Sequence, residues 1–239
     1  LKVPPPRDSV AKWPVVGEGV IAQLSYARKL MLVPVAVVGQ AIGAAALPTL
    51  AHLHAAGRRV ELDRVVLAAL RAGVALGAIA AAGAYAFADP LVQLVYRHGA
   101  FTGGDASEVA RLLCIFSLTV PAWVAQQIAS RAFYARGDTW RPMLLGSGVA
   151  LLSIPLYLML GRRDGARGLA AAGVLAMSAN AIATLLLARR LHGGPALGPL
   201  ANTFARASGI AALAGAAAAA VLRGRPGVAG AILDLAIGG

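Results

Sequence analysis

The chain has 239 residues, 59% of them apolar and only 13% charged. A soluble domain carries about 45–50% apolar and about 25% charged residues, so this composition excludes an ordinary soluble globule and indicates an integral membrane protein. The formal net charge of +12 does not bring nucleic acid in as a partner, because Lys and Arg fall between apolar runs, in HLHAAGRRVELDR, SRAFYARGDTWRP and LARRLHGGP, as they do in membrane loops.

Residues 1–16 form a tail, LKVPPPRDSVAKWP and two further residues, that is proline-rich and has no apolar core of a secretory signal peptide. It lacks an initiating methionine, and the expectation is that the numbering begins inside a longer gene product. Residues 17–222 are expected to form one lobe of six transmembrane helices, an all-α polytopic bundle, with spans near 16–50, 68–96, 112–134, 143–160, 168–187 and 207–222. The first run is over-long and holds Pro34 and Pro48, which predict a bent or broken helix, because proline removes a backbone donor. The second is expected to end near Asp89-Pro90, with LVQLVYRHGAF turning along the interface. Pro142 stands where a helix can begin. GRRDGARG (161–168) and LHGGPALGP are polar turns short enough to make neighbouring spans antiparallel. Residues 223–239 read as the start of a further helix, with too few apolar residues to cross a bilayer.

Counting Lys and Arg on each side favours an orientation with the loop after the first span in the cytoplasm, together with Arg131, Arg136, Arg141, Arg189 and Arg190. The small-residue stretches GLAAAGVLAMSANA and SGIAALAGAAAAAV are expected to let helix backbones pack closely. Cys114, the single cysteine, excludes an internal disulfide and reads as a packing residue.

Catalytic chemistry is not legible. His52 and His54 form an HxH pair without a further ligand at metal spacing, in what reads as a solvated loop after Pro48. No GxSxG, P-loop or HExxH motif occurs, and Asp89, Asp105, Glu108, Asp138 and Asp164 read as solvated loop acids. The glycines of HGAFTGGD precede no strand and read as turn residues. The expectation is a protein that moves or holds something, with no enzymatic activity, no metal and no cofactor. Arg28 and Lys29, side by side in the oily run LSYARKLMLVP, are the exception that asks for a function, because a charge among apolar groups costs several kcal/mol unless paired or hydrated.

Four stretches carry a resemblance. SYARKLMLVPVAVVGQAIGAAALPTLA (25–51), LVQLVYRHGAFTGGD (91–105), SRAFYARGDTWRP (130–142) and GARGLAAAGVLAMSAN (165–180) resemble, in this order, four elements of the MurJ (MviN) lipid II flippases. These are the Tyr-Ala-x-Arg-Leu helix with its proline, the Arg-x-Gly-x-Phe-Thr element, the Phe-Tyr-Ala...Asp-Thr...Pro loop and the Gly-Leu-Ala helix ending in Asn. The resemblance implies a multidrug/oligosaccharidyl-lipid/polysaccharide exporter fold, of which this chain is the C-terminal lobe. It implies a multi-pass protein of the bacterial inner membrane that carries lipid II, an undecaprenyl-pyrophosphate-linked precursor, outward by alternating access. The missing N-terminal lobe, in cis or in trans, and membrane lipids are then the partners.

The resemblance also implies the substrate site. Lys29 stands where the family places a cavity arginine, which makes Lys29 the candidate pyrophosphate ligand. Arg28 is beside it and Tyr26 is one turn away; Pro34 and Pro48 are the candidate bend or gating positions. Neighbours on a helix point about 100° apart, so Arg28 and Lys29 cannot share a direction; one faces the cavity, or both snorkel to the outer interface. Two alternatives remain: a related exporter lobe for polysaccharide units or drugs, and a non-transporting remnant or scaffold. An exporter of cationic drugs calls for acidic residues in the spans, whereas an anionic pyrophosphate suits basic ones.

Overall fold

A computed structural model describes residues 19–96, 103–193 and 197–224. The tail (1–16), most of HGAFTGGD and residues 225–239 of the expected terminal stub therefore lie outside the described residues, as do the side chains of residues 219–224. Among the described residues the chain is helical: α1 (Val20–Pro34), a π-helical segment (Val35–Gln40), α2 (Ala41–Ala55), α3 (Arg59–Ala86), α4 (Ala88–Tyr96), α5 (Gly103–Ser117), α6 (Val120–Tyr134), α7 (Trp140–His192) and α8 (Leu197–Gly224).

The first apolar run forms one rod, Val20–Ala55. Pro34 supplies no N–H to the turn before it, and the ladder answers by widening to π-type bonds over Val35–Gln40. Pro48 has no such effect, since α2 passes through it unbroken. The expected break therefore appears at one proline only. His52 and His54 lie on the last turn of α2, not in a loop.

The second run ends as expected: α3 stops at Ala86, and the nine-residue α4 takes the chain on from Ala88. The third begins earlier than expected, at Gly103, and consists of α5 and α6 bent by 51°. At the bend Leu118 N–H donates to Ile115 O and Thr119 N–H to Phe116 O, a tightened three-residue pattern, while Pro121 has no donor to continue the α5 ladder.

The α7 segment is a hairpin, not a rod. Gly165 takes φ 56 and ψ −130, outside the helical region and open to glycine alone among residues without strain. Contacts pair Tyr157 with Gly173 and Gly146 with Asn180, so the arms before and after Gly165 run antiparallel. At the crossing, a Cβ on Gly168 would sit 1.8 Å from the Leu160 carbonyl oxygen. The turn read at 161–168 thus narrows to one residue. Both arms expose apolar side chains, Leu151 and Leu152 on the first and Leu175 and Ile182 on the second; water would not tolerate such a surface, and lipid does.

The rest assembles around α3. α6 packs antiparallel to it, with Val124 and Ile128 against Gly73 and Gly77. The α1–α2 rod runs parallel to α5–α6, tied by Gln23 Nε2 donating to Asp105 at 3.3 Å and by Gly39 against Gln127. α8 runs parallel to α3, through Arg71 to Thr203 at 3.1 Å and a close approach of Gly215 to Ala82. Leu30, Met31, Leu70, Val74, Leu112, Leu113, Val124 and Ile128 form the common core. Among the described residues three helical stretches are long and apolar enough to cross a membrane, 20–55, 59–86 and the hairpin 140–192, and the bent pair 103–134 makes a fourth if it is one span.

Candidate functional site

The Ala27, Leu30 and Met31 side of α1 is buried in the core, which turns Arg28 and Lys29 to either side of it. Both are exposed and, among the described residues, neither has a carboxylate within ion-pair distance. Their directions differ, as helical geometry requires. The Lys29 ammonium lies 5.7 Å from the ring centroid of Tyr26, on the stripe that continues through exposed Val33, Val37 and Gln40. Arg131 of α6 reaches this stripe by donating to Gln40 Oε1. Tyr26 is half-buried, its ring 4.8 Å from that of Tyr96, whose hydroxyl donates to Tyr26 O. The π segment after Pro34 interrupts the same stripe one turn beyond Lys29; Pro48 lies well away from it.

Arg28 lines a half-open cavity of 420 Å³ between α1, the α5–α6 bend and both arms of α7. Among the described residues of the lining it is the single charged one. Its guanidinium carbon lies 5.8 Å from the Trp123 ring centroid, within cation–π range. Trp123 escaped sequence reasoning, as did Thr119, because nothing local links VPAWV to α1; only the parallel packing of the rods brings them together. Asn180 was quoted in a motif without a role, and it lines the same cavity.

The acids read as solvated are mostly engaged. At the end of the bundle holding the α2–α3 and α6–α7 connections, Arg136 donates to Asp63 at 2.9 Å with its side chain 9% exposed. Asp138, 15% exposed, accepts from Arg141 at 3.0 Å. His192, closing α7, packs edge-on against Phe133 and lies 3.9 Å from Asp138, too far for a hydrogen bond. Burial, then the nearby Arg136 charge, holds the His192 imidazole below its ordinary pKa. At the other end Glu108 accepts two bonds from Arg167, both at 3.3 Å, and pairs with Arg111.

The chain matches the family described as lipid II flippase MurJ over residues 9–229. It is 32% identical to a probable lipid II flippase MurJ of Rhizobium tropici over 176 residues, which cover 73% of this chain and 33% of that protein. The figures for the lipid II flippase MurJ of Burkholderia cenocepacia are 28% over 138 residues, 58% of this chain and 27% of that protein. Among solved structures, a lipid II flippase MurJ in an inward closed conformation superposes with a TM-score of 0.69 at 19% identity, covering 87% of this chain and 47% of that one; this is a likeness of fold. The chain spans about a third of the length of the curated relatives it matches.

Proposed function

The chain belongs to the lipid II flippase MurJ family, and from that premise we propose that it forms one lobe of an inner-membrane, multi-pass flippase that carries lipid II outward by alternating access, without catalysis. A second lobe, in cis or in trans, faces the exposed stripe of α1 and closes the path. The observation that carries this reading is Lys29, a cation on that open stripe without a carboxylate among the described residues. A buried charge partner would have marked a structural role; an unpaired ammonium suits a pyrophosphate that comes and goes.

In this reading Lys29 binds the pyrophosphate as a point charge, and Tyr26 forms the wall beneath it. Arg28 adds positive potential from the neighbouring direction and draws the anion towards the helix. The π segment after Pro34 is the bend about which the outer part of α1 tilts, since its widened turns hold fewer optimal hydrogen bonds. Pro48, through which α2 runs unbroken, takes no part in this bend.

The test is growth of a flippase-depleted strain that carries this chain together with the missing lobe. Lys29→Ala abolishes growth while Lys29→Arg preserves it, because arginine keeps the charge and adds a fork for phosphate oxygens. Equal growth of the two variants contradicts the assignment.

A further inference from the structure

We propose that the cavity holding Arg28 is a second binding site, separate from the open stripe of Lys29, and that it takes a small polyol phosphate: a phosphate ester carrying free hydroxyls, such as a glycerophosphate headgroup. Four observations converge on that chemistry. Arg28, the sole charge in the lining, lacks an acidic partner among the described residues and is held by the Trp123 face, which supports a guanidinium without neutralising it. An anion is therefore the missing group, and a planar guanidinium favours phosphate.

Thr119 is 2% exposed, and its Oγ1 has no hydrogen-bond partner. It stands at the N-terminus of α6 without capping it, so the hydroxyl is free to serve the cavity. Among the described residues Asn180 Oδ1 is likewise buried and unpartnered; a carbonyl acceptor asks for a donor, which the free hydroxyls of a polyol supply and a fully ionised phosphate does not. Such orphans cost free energy unless a ligand or water satisfies them. By contrast the other two small hydroxyls of the lining are occupied: Ser25 donates to Ile21 O at 2.8 Å and Ser153 to Val149 O at 2.6 Å. What the described lining leaves for a ligand is thus one cation, the Thr119 hydroxyl and the Asn180 carbonyl, with the Tyr157 hydroxyl on the same wall.

Size limits the ligand. At 420 Å³ the cavity falls at the small end of the range of about 300–1,000 Å³ for ligand sites, which suits one phosphate headgroup and not a glycopeptide. Leu24, Val149 and Met177 give the remaining wall an apolar surface for the first methylenes of an attached chain.

The same headgroup chemistry is offered by a phospholipid and by a free metabolite. Native mass spectrometry of the whole chain, without lipid II, counts what it retains from dioleoylphosphatidylglycerol, from dioleoylphosphatidylcholine and from sn-glycerol 3-phosphate. One retained phosphatidylglycerol identifies a lipid source; one retained glycerol phosphate identifies a soluble source. In either case Arg28→Gln weakens retention about tenfold or more and Thr119→Val about fivefold, while Lys29→Gln leaves it unchanged and all three variants keep the helical circular dichroism of the parent. Phosphatidylcholine retained as well as phosphatidylglycerol, or equal losses from Arg28→Gln and Lys29→Gln, overturns the proposal. So does retention of none of the three, which leaves water as the partner of Thr119 and Asn180.

Discussion

The two kinds of basic residue in this helical bundle differ in their partners. At the end holding the α6–α7 connection, Arg136 and Arg141 each close on a carboxylate, and Arg136 is almost fully covered. In the middle of α1, Arg28 and Lys29 have aromatic rings beside them and no carboxylate among the described residues. The first arrangement spends charge on fixing helices to one another. The second leaves charge exposed and available, without a carboxylate among the described residues. Composition alone counts all four as basic residues; the difference lies in what folding brings next to them.

Stability measurements break or sharpen this comparison. The largest loss belongs to Arg136→Ala, which strands Asp63 beside a covered site and lowers unfolding free energy by about 3 kcal/mol; in the background of Asp63→Asn the same change costs far less, and equal costs in both backgrounds remove the pair from the account. Next comes Gly168→Ala, whose methyl meets the Leu160 carbonyl and forces the α7 arms apart for about 2 kcal/mol, visible as a lower melting temperature in detergent. Smaller is Arg141→Ala, which removes a half-exposed ion pair worth about 0.5 kcal/mol.

His192 adds a pH signature at the paired end. Its folded pKa lies below the ordinary 6.5, so the unfolded chain binds the proton more tightly. The neutral imidazole's contribution is complete above pH 6.5 and declines as the pH falls from there through the lowered folded value. A melting series from pH 7.5 downward accordingly drops further for the parent than for His192→Gln, and parallel curves refute this. Lys29→Ala and Arg28→Gln complete the order with no loss of stability beyond about 0.5 kcal/mol.

Much of the fold could be read from the chain. The polar turn GRRDGARG (161–168) marked the hairpin, Pro34 marked a disturbed helix, and the composition marked the lipid-facing surface. Pro48 misled, because a helix that loses one donor need not break. His52 and His54 read as loop residues because the apolar run closes at Leu50, whereas α2 continues to Ala55. Glu108 looked solvated because Arg167, which binds it, is far away in sequence, whereas Asp138 is held by its neighbour Arg141. The candidate site was half legible: helical spacing required Arg28 and Lys29 to diverge, yet which one enters a cavity depends on Trp123, Thr119 and Asn180, three residues joined only by packing.

The central claim is that Lys29 on the open stripe of α1 handles the lipid-linked pyrophosphate. The most direct measurement is the fraction of lipid II that reaches the outer leaflet, read as cleavage by a membrane-impermeant hydrolase in cells depleted of their own flippase and supplied with this chain and the missing lobe. The account predicts cleavage with the parent chain and with Lys29→Arg, and none above background with Lys29→Ala at equal protein level. Undiminished cleavage with Lys29→Ala would contradict it.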